Sequence, residues 1–333
     1  MLRTSLCDRL GINLPIIQAA MGGVGGPRLA AAVSNAGGLG MLALWNVPPP
    51  VLHEQVQQTR ALTARPFGVN LNLQWDQTER LKACLEERVP VISLFWGDPA
   101  PLVDAAHGGG AIVLHTASSA DEARRAVASG VDVVVAQGWE AGGHVRGDIA
   151  TLPLVPAVVD AVTPVPVVAA GGIADGRGLA AALALGAAGA WIGTRFLSAP
   201  EAGIHPRYQA LLLQAAETAT VHTTLFDIGW PDAPHRVLRN KTYAMWEAAG
   251  GPAPGERPGE TDVVARSGRM GEIVRYRCYT AGADTEGDVD AVSLWAGQSV
   301  GLVSKRQPAA EIVREIAEEA EGILRRLADT TRS

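Results

Sequence analysis

The sequence predicts a (β/α)8 barrel, an α/β fold, and two observations carry that prediction. From residue 15 to residue 196, short apolar runs rich in β-branched residues alternate with longer helix-like runs closed by glycine. The strand-like runs number eight, at 15–20, 39–44, 67–71, 91–95, 111–116, 131–137, 165–170 and 188–192. Eight βα units are what closes a parallel barrel. Between the runs, segments such as 28–36, 51–61, 119–129 and 178–185 are amphipathic or alanine-rich, and each is long enough for a right-handed crossover helix. An open doubly wound sheet has the same alternation; the unit count favours closure.

Beyond Phe196 the alternation stops. Residues 206–220 and 234–249 read as helices, 250–259 as a solvated Gly/Pro linker, and 309–327 as an amphipathic helix that starts after Pro308. Glutamates early and arginines late in that last helix suit its dipole. The expected organisation is a barrel of residues 1–196, completed by a helix at about 309–328, with a smaller, mainly helical addition over residues 197–308.

A length of 333 residues suits one barrel with insertions, and a hydrophobic fraction of 47% supplies its buried surface. The formal net charge of -6 excludes the broad basic surface that would attract nucleic acid or an anionic membrane, so small molecules are the expected partners. Cys7, Cys84 and Cys278 are far apart and lack metal-ligand spacing, which predicts reduced thiols and no metal site. The N-terminus has no apolar run of signal-peptide type, and no apolar stretch reaches about 18 residues. A cytoplasmic protein is expected.

In such a barrel the strand carboxyl ends and the loops after them form the active site. After the seventh strand the chain reads Ala169-Ala170-Gly171-Gly172-Ile173-Ala174-Asp175-Gly176, and the eighth strand ends Trp191-Ile192-Gly193-Thr194-Arg195-Phe196. Glycine lets backbone N–H groups approach a phosphate closely. Either pair alone marks a turn, but both together match the usual barrel phosphate site, where a flavin mononucleotide fits.

The sixth strand runs into Gln137-Gly138-Trp139-Glu140-Ala141-Gly142-Gly143-His144, which puts an imidazole at the same rim. His144 is the best acid–base candidate, although a single histidine is as often structural. Gln137 and Asn70 bring amides to that rim, either to bond a flavin or to close a loop. The first loop, Ala19-Ala20-Met21-Gly22-Gly23-Val24-Gly25-Gly26, is glycine-rich, yet Met41-Leu42-Ala43-Leu44 lacks the acidic ribose partner expected about 20 residues on. NAD is not inferred from it. Met21 is placed to pack on an isoalloxazine ring or in the core.

At these residues the chain resembles the nitronate monooxygenase family over nearly its whole length. The supporting stretches are Pro15-Ile16-Ile17-Gln18-Ala19-Ala20-Met21, Arg65-Pro66-Phe67-Gly68-Val69-Asn70, Glu140-Ala141-Gly142-Gly143-His144, the Gly171 and Gly193 loops quoted above, and Ser293-Leu294-Trp295-Ala296-Gly297-Gln298. The resemblance implies an FMN-bound barrel whose smaller, mainly helical part, residues 197–308, is a substrate domain or lid, and a reaction in which a nitronate is oxidised by O2 to a carbonyl compound and nitrite, without nicotinamide. It implies FMN contacts from Asn70, Gln137, Gly142, Gly172, Trp191, Ile192, Gly193 and Thr194, with Met21 and Gly171 added. His144 matches the family's catalytic histidine, and Trp295 and Gln298 match its substrate cavity.

One departure stands out. Some members end the fifth strand with a lysine near the flavin, where this chain has Ile112-Val113-Leu114-His115-Thr116 and so offers His115. Flavin-dependent enoyl-ACP reductases share the Glu-Ala-Gly-Gly-His segment, and quinone reductases share the scaffold, so an NAD(P)H reductase is the alternative expectation. A passive flavin- or phosphate-binding protein is a third. Monomer and homodimer both stay open.

Overall fold

A computed structural model describes residues 2–330. All eight expected runs are parallel strands: β1 (Ile16–Gln18), β2 (Gly40–Ala43), β3 (Phe67–Asn72), β4 (Val91–Phe95), β5 (Ile112–Ala117), β6 (Val133–Gln137), β7 (Val167–Ala170) and β8 (Gly189–Ile192). Each pairs with its sequence neighbour from β2 to β8, and β1 pairs with β8. The ring closes where the Gln18 N–H donates to Leu39 O and the Leu39 N–H to Ile16 O, each at 2.9 Å.

Alternate side chains on each strand face opposite ways. Ile17, Met41, Leu114, Val133, Val135 and Val168 fill the barrel interior, while Ile16, Leu42, Val113, Ala117 and Val134 face the helix layer. Leu6 and Leu10 of a short helix, Ser5–Leu10, join the interior cluster and plug one end of the barrel. The last helix, Ala309–Thr330, packs on Gly176–Ala184. A Cβ on Gly176 would lie 2.5 Å from Ala320 N, so glycine sets how close the two helices come.

The segment between Phe196 and this last helix holds more than the helices expected of it. Helices Pro206–Gln214 and Lys241–Ala248 are present. Thr220–Thr223, His235–Leu238 and Gly143–His144 form one antiparallel sheet; Val263–Ser267, Gly271–Val274 and Glu286–Gly287 form another. The expected helix over 234–249 begins only at Lys241, where the Asn240 side chain accepts from Tyr243 N at 2.9 Å. Residues His235–Leu238 are drawn into a strand because partners lie on both sides, a tertiary effect that overrides local propensity. Among the described residues no helix is long and apolar enough to cross a membrane.

Candidate active site

The carboxyl ends of the strands and the inserted segment enclose a cavity of about 250 Å³. Met21, Asn70, Gln137, Gly142, His144, Gly171, Gly172, Trp191, Gly193, Thr194 and Trp295 all line it. Ile192 and Gln298 do not. The Ile192 side chain is buried in the outer core, and Gln298 starts a short 3-10 turn in which its N–H donates to Glu140 O at 2.9 Å.

The glycines hold their places for geometric reasons. Gly171 and Gly172 have φ of +101° and +73°, the left-handed region that other residues avoid. A Cβ on Gly142 would lie 2.4 Å from Gly297 N, whose N–H donates to Thr194 Oγ1 at 3.0 Å. The helix that follows Gly172 has its first N–H groups already engaged: Asp175 accepts from Arg177 and Gly178, and Glu319 from Gly176. An anion here would therefore face the Gly171–Gly172 and Gly193–Thr194 backbone rather than that helix end.

Two clasps fix the loop that carries His144. On the barrel side the Glu140 carboxylate accepts from Thr151 N and lies 2.9 Å from Thr151 Oγ1, which is itself 3.1 Å from Gly171 O. On the other side Gly143 and His144 pair with Arg236 and His235. The Arg236 guanidinium donates twice to Trp139 O, at 3.1 and 2.9 Å. Gln137 Nε2 donates to His144 O at 3.2 Å, so its amide does close the loop while still lining the cavity. Asn70 Nδ2 donates to Ser93 O at 3.2 Å.

The His144 ring stacks on Trp230 with centroids 3.8 Å apart and touches His235 and Trp295 at 5.5 and 5.2 Å. Its Nε2 lies 3.8 Å from Cys278 Sγ. Burial, with His235 beside it, holds its pKa well below the ordinary histidine value, so the ring is neutral at pH 7. Burial also pushes the Cys278 thiol up to about 12, so it stays protonated. In His235, Nδ1 is 2.8 Å from Ala233 O and Nε2 accepts from Phe226 N, an arrangement for a neutral ring whose pKa is about 4.

His115 does not face the cavity. It points toward the helix layer, as Val113 and Ala117 do, and Thr116 takes the cavity side. Its Nδ1 has no hydrogen-bond partner among the described residues, and burial lowers its pKa to about 4. A substitute for a lysine near a cofactor is thus not what this side chain offers.

Three neutral histidines, His115, His144 and His235, make stability depend on pH. Their folded pKa values lie below the unfolded one of about 6.5, so the unfolded chain binds more protons between the two. Stability should be full above about pH 6.5 and fall as the pH drops toward 4, with His115 and His235 contributing about 3 kcal/mol each. Thermal unfolding at pH 7, 5.5 and 4.5 checks this; a melting temperature constant over that range would contradict it.

Sequence reasoning passed over Trp45, Trp230, Arg269, Met270, Cys278 and Tyr279, which also line the cavity. Trp45 and Trp230 are 6.0 Å apart, and both contact Trp75, at 4.9 and 5.1 Å. A signal existed: tryptophans number eight against four phenylalanines and four tyrosines, and Trp45, Trp75, Trp96 and Trp139 each follow a barrel strand.

The sequence pattern of the nitronate monooxygenase family matches residues 3–80 and 72–319. A protein of Mycobacterium tuberculosis named (3aS,4S,5R,7aS)-5-hydroxy-7a-methyl-1-oxo-octahydro-1H-indene-4-carboxyl-CoA dehydrogenase is 42% identical over 250 residues, 74% of this chain and 69% of that protein. A nitronate monooxygenase of Pseudomonas aeruginosa is 35% identical over 94% of this chain and 98% of its own length. The solved structure of FabK from Thermotoga maritima superimposes with a TM-score of 0.86 at 34% identity, covering 99% of this chain and 100% of that one.

Proposed function

The chain belongs to the nitronate monooxygenase family of flavin-dependent oxidoreductases, and from that premise we propose that it binds FMN and oxidises alkyl nitronates with O2 to carbonyl compounds and nitrite. The observation that carries this reading is a neutral imidazole, His144, set in an aromatic cavity next to loops in which Gly142 and Gly171 leave no room for a Cβ. The cradle fits the cofactor: Gly171, Gly172, Gly193 and Thr194 would take the phosphate, Asn70 and Gln137 the polar middle, and Met21, Gly142 and Trp191 the ring system. FMN bound there supplies the acceptor through which electrons reach O2.

The protein's own part is to receive and orient an anion. A neutral His144 can donate one N–H to a nitronate oxygen without delivering the charge that would tie the substrate down. Trp230 and Trp295 keep water from the reacting carbon and strengthen that hydrogen bond. Residues 197–308 act in this reading as the substrate domain, since they bring Trp230, Met270, Cys278, Tyr279 and Trp295 to the cavity. The cytoplasm is the compartment it assigns, consistent with three unpaired cysteines.

A second reading is favoured by the 42% identity with a dehydrogenase of a bicyclic carboxyl-CoA: oxidation of an alicyclic acyl thioester in the same cavity. The NAD(P)H reductase alternative shares the cofactor. One experiment separates all three. The flavoprotein is mixed anaerobically with an alkyl nitronate, an alicyclic acyl-CoA, NADH or NADPH while the flavin spectrum is followed. Bleaching by the nitronate, with nitrite released in air, is the expected result. Bleaching by nicotinamide alone would discard nitronate oxidation for a reductase, and bleaching by the thioester alone would select the second reading.

A further inference from the structure

Among the residues that line the cavity, Arg269 is the one with a formally charged side chain, and none is Asp or Glu. It sits in the turn 268–270 that joins Val263–Ser267 to Gly271–Val274, so a hairpin tip carries it to the glycine-rich loop after β1. The guanidinium is seated there. It lies over the Tyr279 ring at 5.6 Å, its Nη2 is 3.5 Å from Thr280 O, and a Cβ on Gly23 would fall 2.5 Å from both Nη atoms. Gly23, at φ +84°, leaves the space that the guanidinium fills. No ion pair engages Arg269 among the described residues; the carboxylate of nearby Asp284 accepts from the Gly268 N–H at 3.1 Å.

A solvent-facing cation usually does little, but this one borders a cavity that Trp45, Trp230, Trp295 and Met270 also line. No lining residue of the cavity carries a negative charge, and its aromatic walls give an apolar body a place to lie beside the exposed guanidinium. A guanidinium also presents paired N–H donors that match the oxygens of a carboxylate or phosphate.

We propose that Arg269 is a binding site for a second anionic group, a carboxylate or phosphate, borne by a bulky apolar substrate whose body lies against the tryptophans. It deepens the function proposed above and rests on the same cavity being the substrate site. The class of substrate that follows is amphiphilic: an apolar body, a reacting centre toward His144, and an anionic end at the hairpin tip.

Binding without turnover tests this. The flavin-loaded protein is titrated with octanoate, octyl phosphate and octanol while tryptophan emission and flavin absorbance are followed, in the wild type and in the variants Arg269→Ala and Arg269→Lys. At least one anion should bind about tenfold more tightly than octanol, and the preference should shrink with salt. Arg269→Ala should abolish the preference with octanol affinity unchanged, and Arg269→Lys should restore part of it. Whichever anion is preferred identifies the source of the charge. Equal binding of all three ligands by the wild type, a preference that survives in Arg269→Ala, or loss of flavin from that variant would overturn the assignment. Absence of nitronate oxidation would leave these titrations unaffected, so the two readings fail separately.

Discussion

Replacing His144 with alanine should lower the turnover of an alkyl nitronate by about 10²–10⁴-fold and leave the flavin in place. The imidazole lines the cavity but is fastened by its backbone: Gly143 and His144 pair with Arg236 and His235, and Gln137 holds the His144 carbonyl. Truncating the ring removes a hydrogen-bond donor and a stacking partner of Trp230 without breaking either clasp. Flavin content, read from the ratio of visible to protein absorbance, should therefore stay near that of the wild type while kcat collapses. His144→Gln, which retains an N–H donor, should recover part of the loss. Because burial holds the ring neutral well below its ordinary pKa, the wild-type kcat should show no break near pH 6.5 from this group. Undiminished turnover in His144→Ala would remove the residue from the chemistry.

The barrel was legible because its signal is repeated and local. Each strand carries its own apolar run, most crossovers a glycine, and the observed strand ends lie within a few residues of the expected ones. The loop after the seventh strand was legible because glycine at φ +101° and +73° is a backbone requirement that leaves a mark in sequence. What was not legible depended on partners far along the chain. His235–Leu238 became a strand through Thr220–Thr223 and the His144 loop, a pairing no window of ten residues contains.

Facing is the second limit. His115 and Thr116 are adjacent, yet a strand sends one outward and the other into the cavity, and which goes where follows from a register that the end of the strand does not announce. Ile192 was read as part of a contact segment for a similar reason: its neighbours Trp191 and Gly193 line the cavity while its side chain faces the outer core. The tryptophans are different. The placement of Trp45, Trp75, Trp96 and Trp139 after barrel strands is visible in the sequence, whereas Trp230 reaches the cavity from the inserted segment and carries no such mark.

Gly171→Ala should yield a folded protein that purifies with little flavin. At φ +101° an alanine is strained by about 1–3 kcal/mol. Its Cβ would also sit 2.9 Å from Gly138 O and 3.0 Å from Thr151 Oγ1. Thr151 belongs to the clasp that joins this loop to Glu140, and Gly138 O accepts from Ala141 N at 3.1 Å, so relief of the collision shifts the backbone that the proposed phosphate needs. Gly142→Ala reaches the same end by a different route: its φ is not in the left-handed region, but its Cβ would press on Gly297 N and the Ala296 carbonyl carbon, at 2.4 and 2.6 Å. Each variant should weaken flavin binding by at least about tenfold, since displaced donors forfeit about 1.5 kcal/mol or more with a charged phosphate. Gly110→Ala is the control. It has φ +82° and open space around its Cβ, and it precedes β5 at the barrel end away from the cavity, so it carries the strain without the collision. Equilibrium dialysis with FMN, alongside thermal unfolding, separates loss of the cradle from loss of the fold. Full flavin occupancy in Gly171→Ala would show that the phosphate lies elsewhere in the cavity.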